Sequence, residues 1–198
     1  MSLSVSVIVV TYGRPEHVRT CLAHLSALQS APREIAVVDA SPDDRTTRIV
    51  RDEFPHVIYL RNERGRGTTA ESRQLGFNAT TGDIVAFVDD DAFAEPEWLD
   101  ELVKPYLDAR IVGVGGRALN GIDGEEHTGT DNIGRMLPDG RLTGNFAAHP
   151  GKVVEIDHLL GANMSFRRSA IDGVGGIRGN YPGTCLCEES DISLRLAQ

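Results

Sequence analysis

The sequence predicts an α/β domain organised on a mostly parallel mixed sheet, and three observations carry that expectation. Short apolar runs recur at residues 5–10, 35–38, 57–60 and 84–88, and the purest of them, 84–88, reads as a strand buried on both faces. Segments with helical spacing separate these runs, an alternation that builds right-handed crossovers between parallel strands. The run at 84–88 stops in three carboxylates, Asp89, Asp90 and Asp91, at the end of a strand where open α/β sheets keep their ligands.

Taken in order, residues 5–10 form the first strand, which ends at Thr11, Tyr12, Gly13, Arg14 and Pro15. Pro15 and Glu16 open a helix whose apolar positions Val18, Leu22, Leu25 and Leu28 share one face, with Cys21 beside it in the core. Residues 35–38 are the second strand and end at Asp39; Ser41, Pro42, Asp43 and Asp44 then cap a helix running towards Phe54. A third strand at 57–60 leads into a basic, glycine-bearing loop at 61–67 and a helix across 68–78. After the acid triplet, Pro96 and Glu97 open a helix whose face carries Trp98, Leu99, Leu102 and Val103, so Trp98 packs rather than serving as a platform for an acceptor. Residues 111–114 form a fifth strand. The stretch 120–152 is rich in Gly, Asp and Thr and reads as a binding loop or small excursion. Strand character returns at 153–156 and 163–166, a helical turn starts over 167–171, and 188–196 is helical in pattern.

Composition narrows the partners. A formal charge of −9 argues against nucleic acid and anionic membrane surfaces, which call for clustered Lys and Arg. Lys104 and Lys152 are the only lysines among 20 basic residues. The odd count of three cysteines, Cys21, Cys185 and Cys187, suggests neither a disulfide framework nor a zinc site, and points to free thiols in a reducing cytosol. No apolar run reaches the ~20 residues of a bilayer span, so no membrane span is expected.

Three carboxylates in a row repel one another unless a cation is shared between them, and hard oxygen ligands suit Mg²⁺ or Mn²⁺. One such Asp could also cap the next helix, but capping needs one acid, not three. Other nucleotide-binding patterns fit less well. The turn at 11–15 lacks G-x-G-x-x-G, and the looser match at 113–118 is not followed by a helix. The acids lie after the second strand (Asp39) and the fourth, with Arg73 on the helix between.

The segments 5–15, 34–39, 70–74 with 82–91, and 161–168 followed by Gly175-Gly176 and 188–195, in that order, resemble family 2 glycosyltransferases of the GT-A fold. The resemblance implies a nucleotide-diphospho-sugar transferase fold in a single Rossmann-like domain over 1–198. Residues 1–91 would be the nucleotide-binding half, and 92–198 the donor-sugar and acceptor half, which the family usually continues past this C-terminus. It also implies an inverting, metal-dependent transfer from a UDP-sugar to a hydroxyl of a polysaccharide, lipid or small acceptor, in the cytoplasm or peripherally at the inner membrane face. Thr11, Tyr12 and Arg14 would line the uridine pocket, and Asp39 would accept the N–H of the base, a role that competes with a helix cap. Arg73 would lie near base and phosphates, Asp89 would meet the ribose, Asp90 would line the same pocket, and Asp91, with Asp89, would hold Mn²⁺ or Mg²⁺. Asn163 would face the donor sugar. The family's Glu-Asp-x-Asp stands here as Glu188-Glu189-Ser190-Asp191, so Glu189 occupies the position of the catalytic base and Asp191 supports it, with Arg195 as a partner one turn later. The rivals are a sugar-phosphate nucleotidyltransferase, whose glycine-rich basic first turn is absent, and a non-catalytic nucleotide-sugar-binding module.

Overall fold

The computed structural model describes residues 3–179 and 188–197. Its strands β1 (Val5–Thr11), β2 (Glu34–Asp39), β3 (Ile58–Arg61), β4 (Ile84–Asp89), β5 (Gly113–Gly115) and β6 (Asn163–Arg167) form one sheet in the order β3-β2-β1-β4-β6-β5. The first four in that order run parallel; β6 is antiparallel to β4, and β5 is antiparallel to β6. Register aligns the strand ends. Thr11 lies beside Asp39, Val10 beside Asp89, and Val88 beside Asn163, so one edge of the sheet collects the ends of β1, β2 and β4 with the start of β6.

Both faces of the central strands are covered, which is why β1 and β4 are apolar on successive residues rather than alternate ones. On one side, Val5, Val7 and Val9 pack with Val18, Leu22 and Leu25 of α1 (Pro15–Ser26), Ile49 and Val50 of α2 (Arg45–Glu53), and Leu99 and Leu102 of α4 (Trp98–Val103). On the other, Ile8, Val38, Val85 and Phe87 meet Ala70 and Phe77 of α3 (Thr69–Ala79), Ile171 of α5 (Arg168–Gly173) and Ile192 of α6 (Glu188–Leu196). At roughly 1.5–3 kcal/mol for each fully buried aliphatic or Phe side chain, these two layers are the main source of stability. Gly76 lets α3 close on the sheet: a Cβ there would come 2.5 Å from the Cγ2 of Ile8.

Cys21 is buried among these residues, and burial pushes its thiol up to about 12, so it serves as a small apolar side chain. Cys185 and Cys187 lie outside the described residues. Trp98 packs against the first layer and donates its Nε1–H to Asn163 Oδ1 at 3.0 Å, so Asn163 is held as a bridge to the sheet edge. Among the described residues no helix is long and apolar enough to cross a membrane.

One expected strand is not formed. Residues 153–156 are irregular, and Val153 is 81% exposed. Among the described residues no strand pairs with this stretch. Residues 157 and 158 instead donate their backbone N–H groups to the carbonyl of Gly134, and Arg135 reaches the carbonyl of Glu155. The preceding excursion is laced by its own polar groups: His158 contacts the Thr143 carbonyl at 3.0 Å, and Glu125 accepts from the backbone of Asn120 and Gly121.

Candidate active site

A cleft of about 320 Å³ opens at the edge where the strand ends gather. Thr11, Tyr12 and Arg14 form one wall, and the glycine-bearing loop from Gly65 to Thr68 forms another. Arg73 and Asp89 lie at its base, and Gly161, Glu188 and Glu189 close the far side. In that loop Gly65 and Gly67 take positive φ of 75° and 87°, a turn that L side chains resist. The amide of Asn62 pins the loop by donating to Thr68 Oγ1 and Ser72 Oγ, both at 2.8 Å.

Six of the expected site residues therefore meet: Thr11, Tyr12, Arg14, Arg73, Asp89 and Glu189. Four do not line the cleft. Asp39 is fully buried, accepting from the Ser41 backbone N–H at 2.8 Å and the Tyr59 hydroxyl at 2.9 Å, with Arg61 at 3.4 Å. Its carboxylate shapes the turn after β2 through Ser41, whose hydroxyl in turn accepts from the Gly13 N–H at 2.7 Å. Asp90 is also fully buried, behind cleft-lining residues at the end of β1 and in the turn that follows. There it accepts from Thr11 Oγ1 at 2.5 Å and from Arg14. Asp91 is half-exposed and held by Arg14. Asp191 pairs with Arg195 at 2.8 Å, and Arg195 also donates to the carbonyls of Val174 and Gly176, tying α6 to the end of α5.

Glu188 carries the feature that sequence reasoning missed. It is almost wholly buried, with Oε1 at 2.8 Å from Arg73 Nη1, while Oε2 finds no partner among the described residues. Arg73 is equally buried. Its other Nη reaches the Gly161 carbonyl at 3.2 Å and Asp89 at 3.4 Å, and its guanidinium lies 5.8 Å from the centre of the Phe87 ring. One arginine thus joins β4, the turn before β6 and α6. Burial, opposed by Arg73 and reinforced by Glu189, pushes the Glu188 carboxyl up towards about 7. Asp89 and Asp90 are also raised, burial being the largest cause in each. The available signal for Glu188 was its place directly before the expected base; nothing local distinguishes the two glutamates.

Among the described residues no three His, Cys, Asp or Glu side chains are arranged to hold a metal ion. Asp89 and Asp91 offer two hard-oxygen groups on one turn, the donor set of an ion that completes its shell with phosphate oxygens and water rather than in an all-protein cage.

Against known proteins, the chain is 30% identical over 188 residues to a glucosyl-dolichyl phosphate glucuronosyltransferase of Haloferax volcanii, covering 88% of this chain and 56% of that protein. Among solved structures, it superposes on a mannosyltransferase of Pyrobaculum calidifontis in complex with GDP-Man and Mn²⁺, with a TM-score of 0.71 at 19% identity, covering all of this chain and 52% of the other. Residues 1–349 of S. aureus TarS match with a TM-score of 0.67 at 17% identity over 98% of this chain and 55% of that one. The fold is thus the GT-A type that the sequence led us to expect, and the chain spans about half the length of these proteins. The model of glycosyl transferase family 2 matches residues 6–175, and the chain belongs to that family.

Proposed function

We propose that this chain, with a divalent ion as cofactor, transfers a glycosyl group, with inversion, from a UDP-sugar to a hydroxyl of a polysaccharide, lipid or small acceptor. The observation that carries the reading is a single cleft in which Asp89, at the end of β4, faces Glu188 and Glu189, at the start of α6, across Arg73. Asp89 and Asp91 are the residues that would hold Mn²⁺ or Mg²⁺. When bound, such an ion supplies Lewis-acid stabilisation of the charge growing on the leaving diphosphate. In this reading residues 1–91 serve the nucleotide and 92–198 the sugar and acceptor.

The protein's own groups do the rest. Tyr12 and the loop around Gly65 and Gly67 flank the space for the nucleoside, and Asp39 keeps the adjoining turn in shape. Glu189 takes the proton of the acceptor hydroxyl as that oxygen bonds to the anomeric carbon and the bond to the diphosphate breaks. The neighbouring Glu188 is buried against Arg73, whereas Glu189 is partly exposed in the cleft, so Glu189 is the better placed of the two to meet an acceptor hydroxyl. The chemistry separates this reading from a non-catalytic binding module, which needs no base.

Calorimetric titration of UDP with and without Mn²⁺, repeated with GDP and on Asp91→Ala, tests the reading. Mn²⁺-dependent UDP binding that disappears in the variant is expected. Preference for GDP would overturn the uridine assignment, and metal-independent binding would overturn the role of Asp91.

A further inference from the structure

Arg14 occupies a position that the sequence did not suggest. Gly13 takes a φ of +69° in the turn before α1, and the Arg14 guanidinium that follows lies against the acid triplet. Nε lies 3.1 Å from Asp90 Oδ2, Nη2 2.5 Å from Asp90 Oδ1, and Nη1 2.5 Å from Asp91 Oδ2. The guanidinium holds Asp90 at two points, by a hydrogen bond from Nε to Oδ2 and by an ion-pair contact of Nη2 with Oδ1. With Thr11 Oγ1 also bound, Asp90 is fully buried and engaged within the protein. Asp90 is therefore the anchor of Arg14, and not a ligand for anything in the cleft. The contact to Asp91 differs. It is a single bond between side chains that remain 44% and 48% exposed, so it can be exchanged while the grip on Asp90 persists.

Resting on the function proposed above, we propose that Arg14 is the standing counter-cation of the acid triplet, making divalent-ion binding at Asp89 and Asp91 conditional on the nucleoside diphosphate. An ion arriving alone must take Asp91 from Nη1 and then sit beside a guanidinium that Asp90 prevents from leaving. A nucleoside diphosphate removes both obstacles: its oxygens complete the shell of the ion and accept from the displaced Nη1. By linkage, the same coupling strengthens nucleotide binding when the ion is present. Arg14 is here a positioning residue, acting on the ion through Asp91.

The test is a titration of Mn²⁺ alone, followed by electron paramagnetic resonance, on the wild-type chain, Arg14→Gln, Arg14→Lys and Arg14→Gln combined with Asp91→Ala. Removing the guanidinium should tighten nucleotide-free Mn²⁺ binding roughly tenfold, within the usual range of coupling between sites, and the gain should vanish when Asp91 is also removed. Arg14→Lys keeps the charge but cannot grip Asp90 while reaching Asp91, so it should also bind Mn²⁺ more tightly than wild type. It decides the matter if Arg14→Gln does not fold. Unchanged or weaker Mn²⁺ binding in the folded variant overturns the proposal, as does a gain that survives loss of Asp91. Because this titration contains no nucleotide, its result is independent of the UDP titration that tests the function.

Discussion

The two acidic clusters bridged by Arg73 at the cleft look alike in sequence and differ in what each acid does. After β4, Asp90 is buried and grips Arg14, while Asp89 and Asp91 keep exposed oxygen. At the start of α6, Glu188 is buried and grips Arg73, while Glu189 remains partly exposed in the cleft. Each cluster thus commits one acid to fixing an arginine and leaves its neighbour facing the reaction space. The clusters part in the strength of that commitment. Asp90 accepts from both Thr11 and Arg14, whereas Glu188 has Arg73 alone, and in each acid the second oxygen makes no hydrogen bond among the described residues.

The sharpest way to test this division of labour is Glu189→Gln. Turnover should fall by about 10²–10⁴-fold, the usual worth of a general base, with Mn²⁺–UDP affinity retained. Near-wild-type turnover in steady-state kinetics would remove Glu189 from the mechanism. Next in size is Arg73→Met, which leaves Glu188 buried without its partner. Urea unfolding at pH 8 should show a loss of about 3–5 kcal/mol, the usual result of breaking a buried pair from one side. A loss below about 1 kcal/mol, typical of an exposed pair, would mean that Arg73 does not hold the start of α6.

The titration of Glu188 gives a third test with a definite sign. Its folded carboxyl titrates near 7 against an ordinary 4.5, so between those values the folded state binds the extra proton. This group's contribution to stability is therefore fully present below pH 4.5 and declines as pH rises to about 7. Chemical denaturation across that window should show the decline in the wild-type chain and lose it in Glu188→Gln. Identical pH profiles would show that the carboxyl is not raised. The smallest effect is expected at the far end of α6: Asp191→Ala removes one i, i+4 partner of Arg195, which keeps its two carbonyl contacts. About 0.5 kcal/mol or less in thermal unfolding is expected, and turnover should persist. A large loss of turnover with normal stability would instead place Asp191 in the chemistry.

The sequence by itself determined the frame. The runs at 5–10 and 84–88, the face made by Val18, Leu22 and Leu25, and Pro15 at the first helical position each express a local period or a local backbone constraint, legible without knowing the partner. The i, i+4 pair of Asp191 and Arg195 was legible for the same reason. Residues 153–156 had the local composition of a strand, but a strand also needs a neighbour with a free edge, which composition does not encode. Tertiary structure alone decided which acid of each cluster is buried. The arginine that selects Asp90 lies 76 residues away in sequence, and the one that selects Glu188 lies 115 away. Adjacent carboxylates have the same intrinsic chemistry. Their roles diverge only when the fold sets one against a desolvated guanidinium and leaves the next in contact with water.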